Sequence, residues 1–335
     1  MVGPPGPPGH DPIGWDLAER VAIRVGGREP FADSYHSDSL IPDFDELTAE
    51  AEILVTRETG LVSAAGPARA RVTDRAGWVR ANLASFRRLL GPLTEVTAST
   101  HRWEELAPHL GTPQAAAYVA QERVLRGENL IGDERSHPEI LELPLELLGW
   151  EPTYALATYR SDHVEVAEPW EPRASLSDAE VAPATEMQDE EIENVLLDLV
   201  SPWVNESNGA ARAVMVSGDA VGAASHLAFS ALRTGPLDRA EAMQRLAWGA
   251  ASGGAHGRRR GAAYGRFAAW YTISVLCGYD WPVVSDDLQE TSARLNWFLW
   301  DEGATEEGWA LRLAVEDPTD GWAAAIAATD VLPET

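Results

Sequence analysis

The sequence predicts a mainly α fold with a minor β component (α+β), built as a helical N-terminal unit followed by a mixed, mostly helical C-terminal domain. Three observations predict it. Apolar residues recur at helical spacing through most of the 335 residues, strict alternation is confined to a few short runs, and six prolines between 138 and 183 separate two patterned regions. The resulting division is a Pro/Gly tail at 1–10, a helical domain at 11–127, an acidic Pro-rich connector at 128–183 and a mixed domain at 184–335. Charge follows it. Residues 1–95 carry 14 acids and 10 arginines, a net of −4, and residues 133–206 carry 19 acids and 3 arginines, a net of −16.

Met1 to Gly9 have no basic start and no apolar stretch, so they are read as a stiff tail rather than a secretory signal. Trp15, Leu17, Ala18, Val21 and Ala22 then open a short amphipathic helix that stops at Gly26-Gly27. A second helix runs from about Asp43 to Gly60, and a third starts at Thr73 or Asp74 and places Trp78, Asn82, Ser85 or Phe86, Leu89 and Leu93 along one face. Further helices are expected near 101–107 and 113–126. In the connector, Ala155–Tyr159 and His163–Ala167 alternate as short strands.

After Pro183 the periodicity returns. Asp189 to Trp203 carries an apolar stripe behind an acidic first turn. Arg212–Ser217 reads as a strand and Asp219–Leu232 as a small-residue helix, while Leu237, Asp238 and Glu241 form a capping-box start for the next. Ser285 or Asp286 caps a helix that would carry Leu288, Leu295, Phe298 and Leu299. Trp309–Val315 alternates as a strand, Asp317-Pro318 turns the chain, and Gly321–Ala328 is expected to close it as a helix. Two to four strands are expected in this half.

Composition excludes several chemistries. All 26 basic residues are arginine, so a Walker lysine, a pyridoxal Schiff base and Ser-Lys catalysis are ruled out. A net charge of −27 repels phosphate backbones and anionic headgroups, so neither nucleic acid nor membrane is expected as a partner. The lone Cys277 allows no intrachain disulfide, and the expected compartment is cytoplasmic. The longest apolar run, Phe267–Cys277, is too short to cross a bilayer. No GxSxG elbow, GxGxxG turn or HExxH motif occurs.

The main chemical irregularity is Ser252 to Gly261, a glycine-rich run holding His256, Arg258, Arg259 and Arg260, with Arg266 just beyond. Residues 237–278 hold six arginines against two acids in an otherwise acidic chain. Exposed amides beside guanidiniums suit a phosphate or carboxylate, so these five residues are the candidate anion site. The competing reading pairs the arginines with the acidic 133–206 segment and treats Gly257, Gly261, Gly265 and Ala269 as a stripe for close helix packing. For metal, His101, Glu105 and His109 have helical spacing that Pro108 interrupts; zinc is what such ligands would take, and no cofactor is expected otherwise. Glu134 and His137 form an ExxH without a second copy, and Asp301-Glu302 beside Trp297 and Trp300 is the pair to inspect for carbohydrate chemistry. Ten of the 13 tryptophans lie at or after Trp150 and are expected in the core.

Two resemblances accompany these readings. At Trp15–Ala18, Glu58–Leu61 and Val72–Asn82 the chain resembles the N-terminal part of a zincin-like family of zinc-dependent metalloproteases of actinobacteria, over about residues 11–93. The catalytic HExxH of that family is absent, so the resemblance implies a helical accessory unit without its peptidase centre. From His137 on, His137-Pro138-Glu139, Leu143-Pro144-Leu145, Trp150-Glu151-Pro152, Gly253–Gly261, Trp281-Pro282, Trp300-Asp301 and Glu316-Asp317-Pro318 resemble an uncharacterised actinobacterial family, which implies no activity. The leading expectation is a non-enzymatic binding or assembly protein with a protein partner or self-association. Its alternatives are a diverged zinc-dependent hydrolase and a phosphometabolite binder acting through residues 252–261.

Overall fold

A computed structural model describes residues 92–159, 164–166, 175–229, 231–303 and 308–330. The expected tail and the three expected helices between residues 15 and 91 lie outside the described residues. Helices α1 (Leu93–Thr100), α2 (Trp103–Leu106) and α3 (Pro113–Leu125) come first, α2 running into a 3-10 turn at Ala107–His109. Thr112 caps α3 by accepting from the Ala115 amide at 3.2 Å, with Pro113 at the first helical position. Strands β1 (Ala157–Tyr159) and β2 (Val164–Val166) pair antiparallel, where the alternation of the connector predicts them.

The rest is organised around a sheet. Strands β3 (Ser177–Ala179), β4 (Thr185–Met187), β5 (Ala210–Ser217), β6 (Leu232–Leu237), β7 (Asn296–Asp301), β8 (Trp309–Asp317) and β9 (Trp322–Asp330) form an antiparallel sheet in the order β3-β6-β7-β8-β9-β5-β4. Between them lie α4 (Glu190–Asp198), α5 (Ser201–Asn205), α6 (Ala220–Leu227), α7 (Arg239–Ala251), α8 (Ala262–Leu276) and α9 (Ser285–Ser292). The mainly α expectation is therefore wrong: the described region is 40% helix and 22% strand, a sheet-based α+β fold. Six strands, not two to four, follow Pro183.

Three local readings account for the error. The expected closing helix at Gly321–Ala328 is β9. Alanine favours helix, but Asp317 accepts from the amides of Thr319 and Asp320, Gly321 takes φ +71°, and the chain reverses into a β8–β9 hairpin with Asp317 opposite Trp322. The expected helix at 219–232 stops at Leu227, because Leu232–Leu237 is claimed by pairing with β7. The helix starting at Ser285 ends at Ser292, and Phe298 and Leu299 belong to β7. The helix over 189–203 is present but divided at Leu199-Val200, just before Pro202, whose missing amide hydrogen cannot continue an intrahelical ladder.

The short connection between the outermost strands sets the shape of the sheet. β3 and β4 lie at opposite edges, yet only residues 180–184 join them. Seven flat strands would put their edges about 29 Å apart at ~4.8 Å per gap. Six Cα steps reach about 20 Å. The sheet must therefore curl, and residues 180–184 strap across its concave face. Helix α6 lies under that strap: the Ala182 amide donates to Ser225 Oγ at 3.2 Å, and His226 Nε2 lies 2.9 Å from the Ala184 carbonyl. Ala314, Ala323 and Ala325 on the sheet meet Ala220, Ala223 and Ala224 on α6 in one core cluster. The alanines that look helical in sequence are what lets a helix sit inside a curled sheet.

The opposite face carries the larger core, with α4, α7 and α8 packed over Met215, Trp297, Leu311, Leu313, Val315 and Ile326. The expected capping box is present, with Asp238 accepting from the Glu241 amide at 2.7 Å and Glu241 accepting from the Asp238 amide at 3.1 Å. Of the expected small-residue stripe, Gly257 and Gly261 precede α8, while Gly265 and Ala269 lie on it. A Cβ at Gly265 would stand 2.3 Å from the Ala247 carbonyl oxygen and 2.9 Å from Ala251 Cβ on α7. Gly265→Ala is expected to cost ~1–3 kcal/mol by forcing α7 and α8 apart, read as a lower urea midpoint at unchanged slope. Among the described residues no helix is long and apolar enough to cross a membrane.

Candidate functional site

The Gly-Arg run lies between α7 and α8, where the larger core meets the α1/α3 pair. Its first part is a tight loop. Gly253 sits against the backbone of Arg258, where a Cβ would come within 2.2 Å of the carbonyl oxygen, and Gly254 takes φ +73°. Beneath it, Asp330 at the end of β9 is fully buried and accepts from the Ala255 amide at 2.5 Å. Ser252 Oγ accepts from Trp203 Nε1 at 2.8 Å.

The five anion candidates do not share one ligand pocket: the three whose ion pairs are known each take a different carboxylate of this chain. The amide of His256 donates to Ser207 Oγ at 3.0 Å, and its ring is half-buried, as is Arg258. Arg260 pairs with Glu206. Arg259, 4% exposed, donates from Nη2 to Glu95 Oε1 at 2.9 Å. Arg266, with no exposed surface, donates from Nε and Nη2 to the two oxygens of Glu151 at 2.8 and 2.6 Å. It also reaches Gln121 Oε1 at 2.5 Å and the carbonyls of Pro144 and Glu146 at 2.9 Å each, so all five N–H groups have acceptors.

Arg259 leads to a pair of carboxylates that sequence reasoning missed. Glu95 on α1 and Glu122 on α3 are both fully buried and cap the first turn of α8 together. Glu95 Oε1 accepts from the Ala262 amide at 3.1 Å and Glu122 Oε1 from the Ala263 amide at 2.7 Å. Tyr159 on β1 donates its hydroxyl to Glu95 Oε2 at 2.6 Å, and Arg126 reaches Glu122 Oε2 at 2.5 Å. The two acids shift in opposite directions. Burial pushes Glu95 up, but the Arg259 charge and hydrogen bond outweigh it and leave the carboxyl below its ordinary value. For Glu122 burial wins over Arg126, and the neighbouring Glu95 adds to it, so that carboxyl is raised. Opposed shifts are the electronic condition for an acid–base pair, but here both groups are sealed from solvent.

A second buried cluster adjoins it. Glu151 accepts from Arg266, from the Tyr154 hydroxyl at 2.7 Å and from Trp270 Nε1 at 3.0 Å. Burial raises Glu151, but the Arg266 fork outweighs it and holds the carboxyl below its ordinary value. Acids are so numerous in the sequence that Glu95, Glu122 and Glu151 carry no signal of their own. The Glu122–Arg126 spacing of four on one helix is the trace that was present.

The metal candidates separate. His101 ends α1 with Nδ1 2.8 Å from Thr100 Oγ1 and Nε2 buried without a partner. Glu105 accepts from the Arg102 amide at 2.9 Å, and His109 ends the 3-10 turn. Among the described residues no group of three or more His, Cys, Asp or Glu could hold a metal ion. His137 lies 3.0 Å from Glu139. Asp301 is held by the Arg233 fork and Glu302 by Arg312. Trp297 and Trp300 are buried, as are six other tryptophans. The half-buried Cys277 thiol is pushed up to about 12 by burial, far from a reactive thiolate.

No curated protein and no solved structure matches the chain. A single family model runs without a break across residues 52–331, and the comparisons show no link to zincin-like metalloproteases. That model is described as a family of unknown function (DUF6183), and the chain belongs to that family.

Proposed function

We propose that the protein is a non-catalytic binding or assembly module in which the Gly-Arg segment is an internal clasp. The observation that carries this reading is the destination of Arg259 and Arg266: Arg259 is buried against Glu95 of α1, and Arg266 of α8 against Glu151 and against Gln121 of α3, so that both guanidiniums are engaged inside this chain. Glycines 253, 254 and 257 serve the same purpose, since each lets the loop fold tightly enough for Arg259 to turn inward. A segment so engaged organises a surface rather than transforming a substrate. The test pairs chelator-sensitive peptide hydrolysis with light scattering of the purified full chain. The expected outcome is no hydrolysis above buffer and a discrete self-associated species; chelator-sensitive turnover would replace this reading with the metallohydrolase one.

A further inference from the structure

Arg245, on the second turn of α7, is 2% exposed, and no carboxylate lies within ion-pair distance of it among the described residues. Its Nη1 donates to the Glu241 carbonyl of its own helix at 3.2 Å, while Nε and Nη2 are buried without an acceptor. These two nitrogens form one edge of the guanidinium, the side-on fork that matches the two oxygens of a carboxylate. The same edge is filled elsewhere in the chain. Arg233 holds Asp301 with Nε and Nη2 at 2.7 and 2.6 Å, Arg266 holds Glu151, and Arg123 holds Glu128 at 3.1 and 2.8 Å.

The nearest acids, Asp238 and Glu241, hold each other's amides in the capping box and leave the fork unfilled. Trp297, on a strand that α7 packs against, also has its indole N–H buried without an acceptor. A guanidinium does not lose its proton at any ordinary pH, and an uncompensated one in a core costs several kcal/mol. We propose that the Nε/Nη2 edge of Arg245 is the receptor for the carboxylate of a small monoanionic ligand that seats between α7 and the sheet. One negative charge balances the single guanidinium, whereas a phosphate dianion would leave a buried excess. The proposal is independent of the assembly reading and places ligand binding one helix away from residues 252–261.

The test is thermal unfolding of the full chain at constant ionic strength in sodium chloride, sodium phosphate and sodium acetate. Acetate at tenfold its dissociation constant is expected to raise the midpoint by ~2–4 °C over chloride, since it binds the native state alone. Phosphate should give less. Arg245→Met should lose the acetate response while Arg260→Gln keeps it. Should Arg245→Met not fold, the wild-type Arg Nε–H resonance that Arg245→Lys removes should move as acetate is added. Equal midpoints in the three salts, a response that survives in Arg245→Met, or a stationary Nε–H resonance each overturn the proposal.

Discussion

Arg266→Met is expected to lower stability by ~3–5 kcal/mol, among the largest effects of any single substitution in the described region. The side chain is fully buried, and its five N–H groups join α8 to Glu151, to Gln121 on α3 and to the carbonyls of Pro144 and Glu146. Removing it leaves Glu151 ionised in the core with only the Tyr154 hydroxyl, the Trp270 indole and the Leu148 amide as donors. Most of the cost is that stranded charge rather than the lost attraction. The double variant Arg266→Met/Glu151→Gln should therefore recover part of the loss, and a double-mutant cycle in urea would show a coupling above ~1 kcal/mol. Full additivity of the two single effects would mean that the pair contributes nothing jointly.

The same cluster shows why the site was only half legible. The sequence marks Arg258 to Arg260 and Arg266 as unusual because they stand in a positive island of an acidic chain, and the alternative that paired them with the acidic 133–206 segment covers Glu206, the partner of Arg260, and Glu151, the partner of Arg266, without singling out either acid. It does not anticipate Glu95, which is 164 positions from Arg259 and is brought to it only when α1 docks beside the loop. Long-range pairing is a property of topology, and one sequence contains no record of which acid meets which base.

The fold shows the same division. Caps and local patterns were readable: the box at Asp238 and Glu241, the strands at 157–159 and 309–317, and helix α3 all stand where spacing puts them. The sheet was missed where pairing overrides intrinsic preference. An alanine-rich β9 has the composition of a helix, and only its partners β8 and β5, with α6 needing small residues beneath it, make it a strand. Leu232–Leu237 is not among the expected strands: its first residue falls in the helix expected over 219–232, and Gly235 and Pro236 have little intrinsic preference for a strand. In the structure a Cβ at Gly235 would lie 2.3 Å from the Ser175 carbonyl oxygen, and Pro236 lies past the end of the β3 pairing while standing opposite Phe298 of β7.

The two buried acids at the start of α8 should respond to isosteric substitution in opposite ways. Glu95 has its folded pKa below the ordinary value of 4.5, so its contribution is fully present above pH 4.5 and lost as pH falls through the lower folded value. Glu95→Gln should accordingly cost ~3–5 kcal/mol at pH 7, because Arg259 is left buried without its charge partner, and the deficit should shrink below pH 4.5. Glu122 has the reverse sign. Its folded pKa is raised, so the native state binds that proton more tightly than the unfolded chain, and ionising it removes stability as pH rises from 4.5 through the folded value. Glu122→Gln keeps the acceptor for the Ala263 amide, and Arg126 retains its bonds to the carbonyls of Glu122 and Ala157. Its cost at pH 7 should stay below ~1 kcal/mol and should grow, relative to wild type, as pH falls toward 4.5. Urea midpoints of both variants from pH 4 to 8 give two difference curves of opposite slope. Parallel curves would mean that the two carboxyls titrate alike, and that the split set by Arg259 on one side and by burial on the other does not exist.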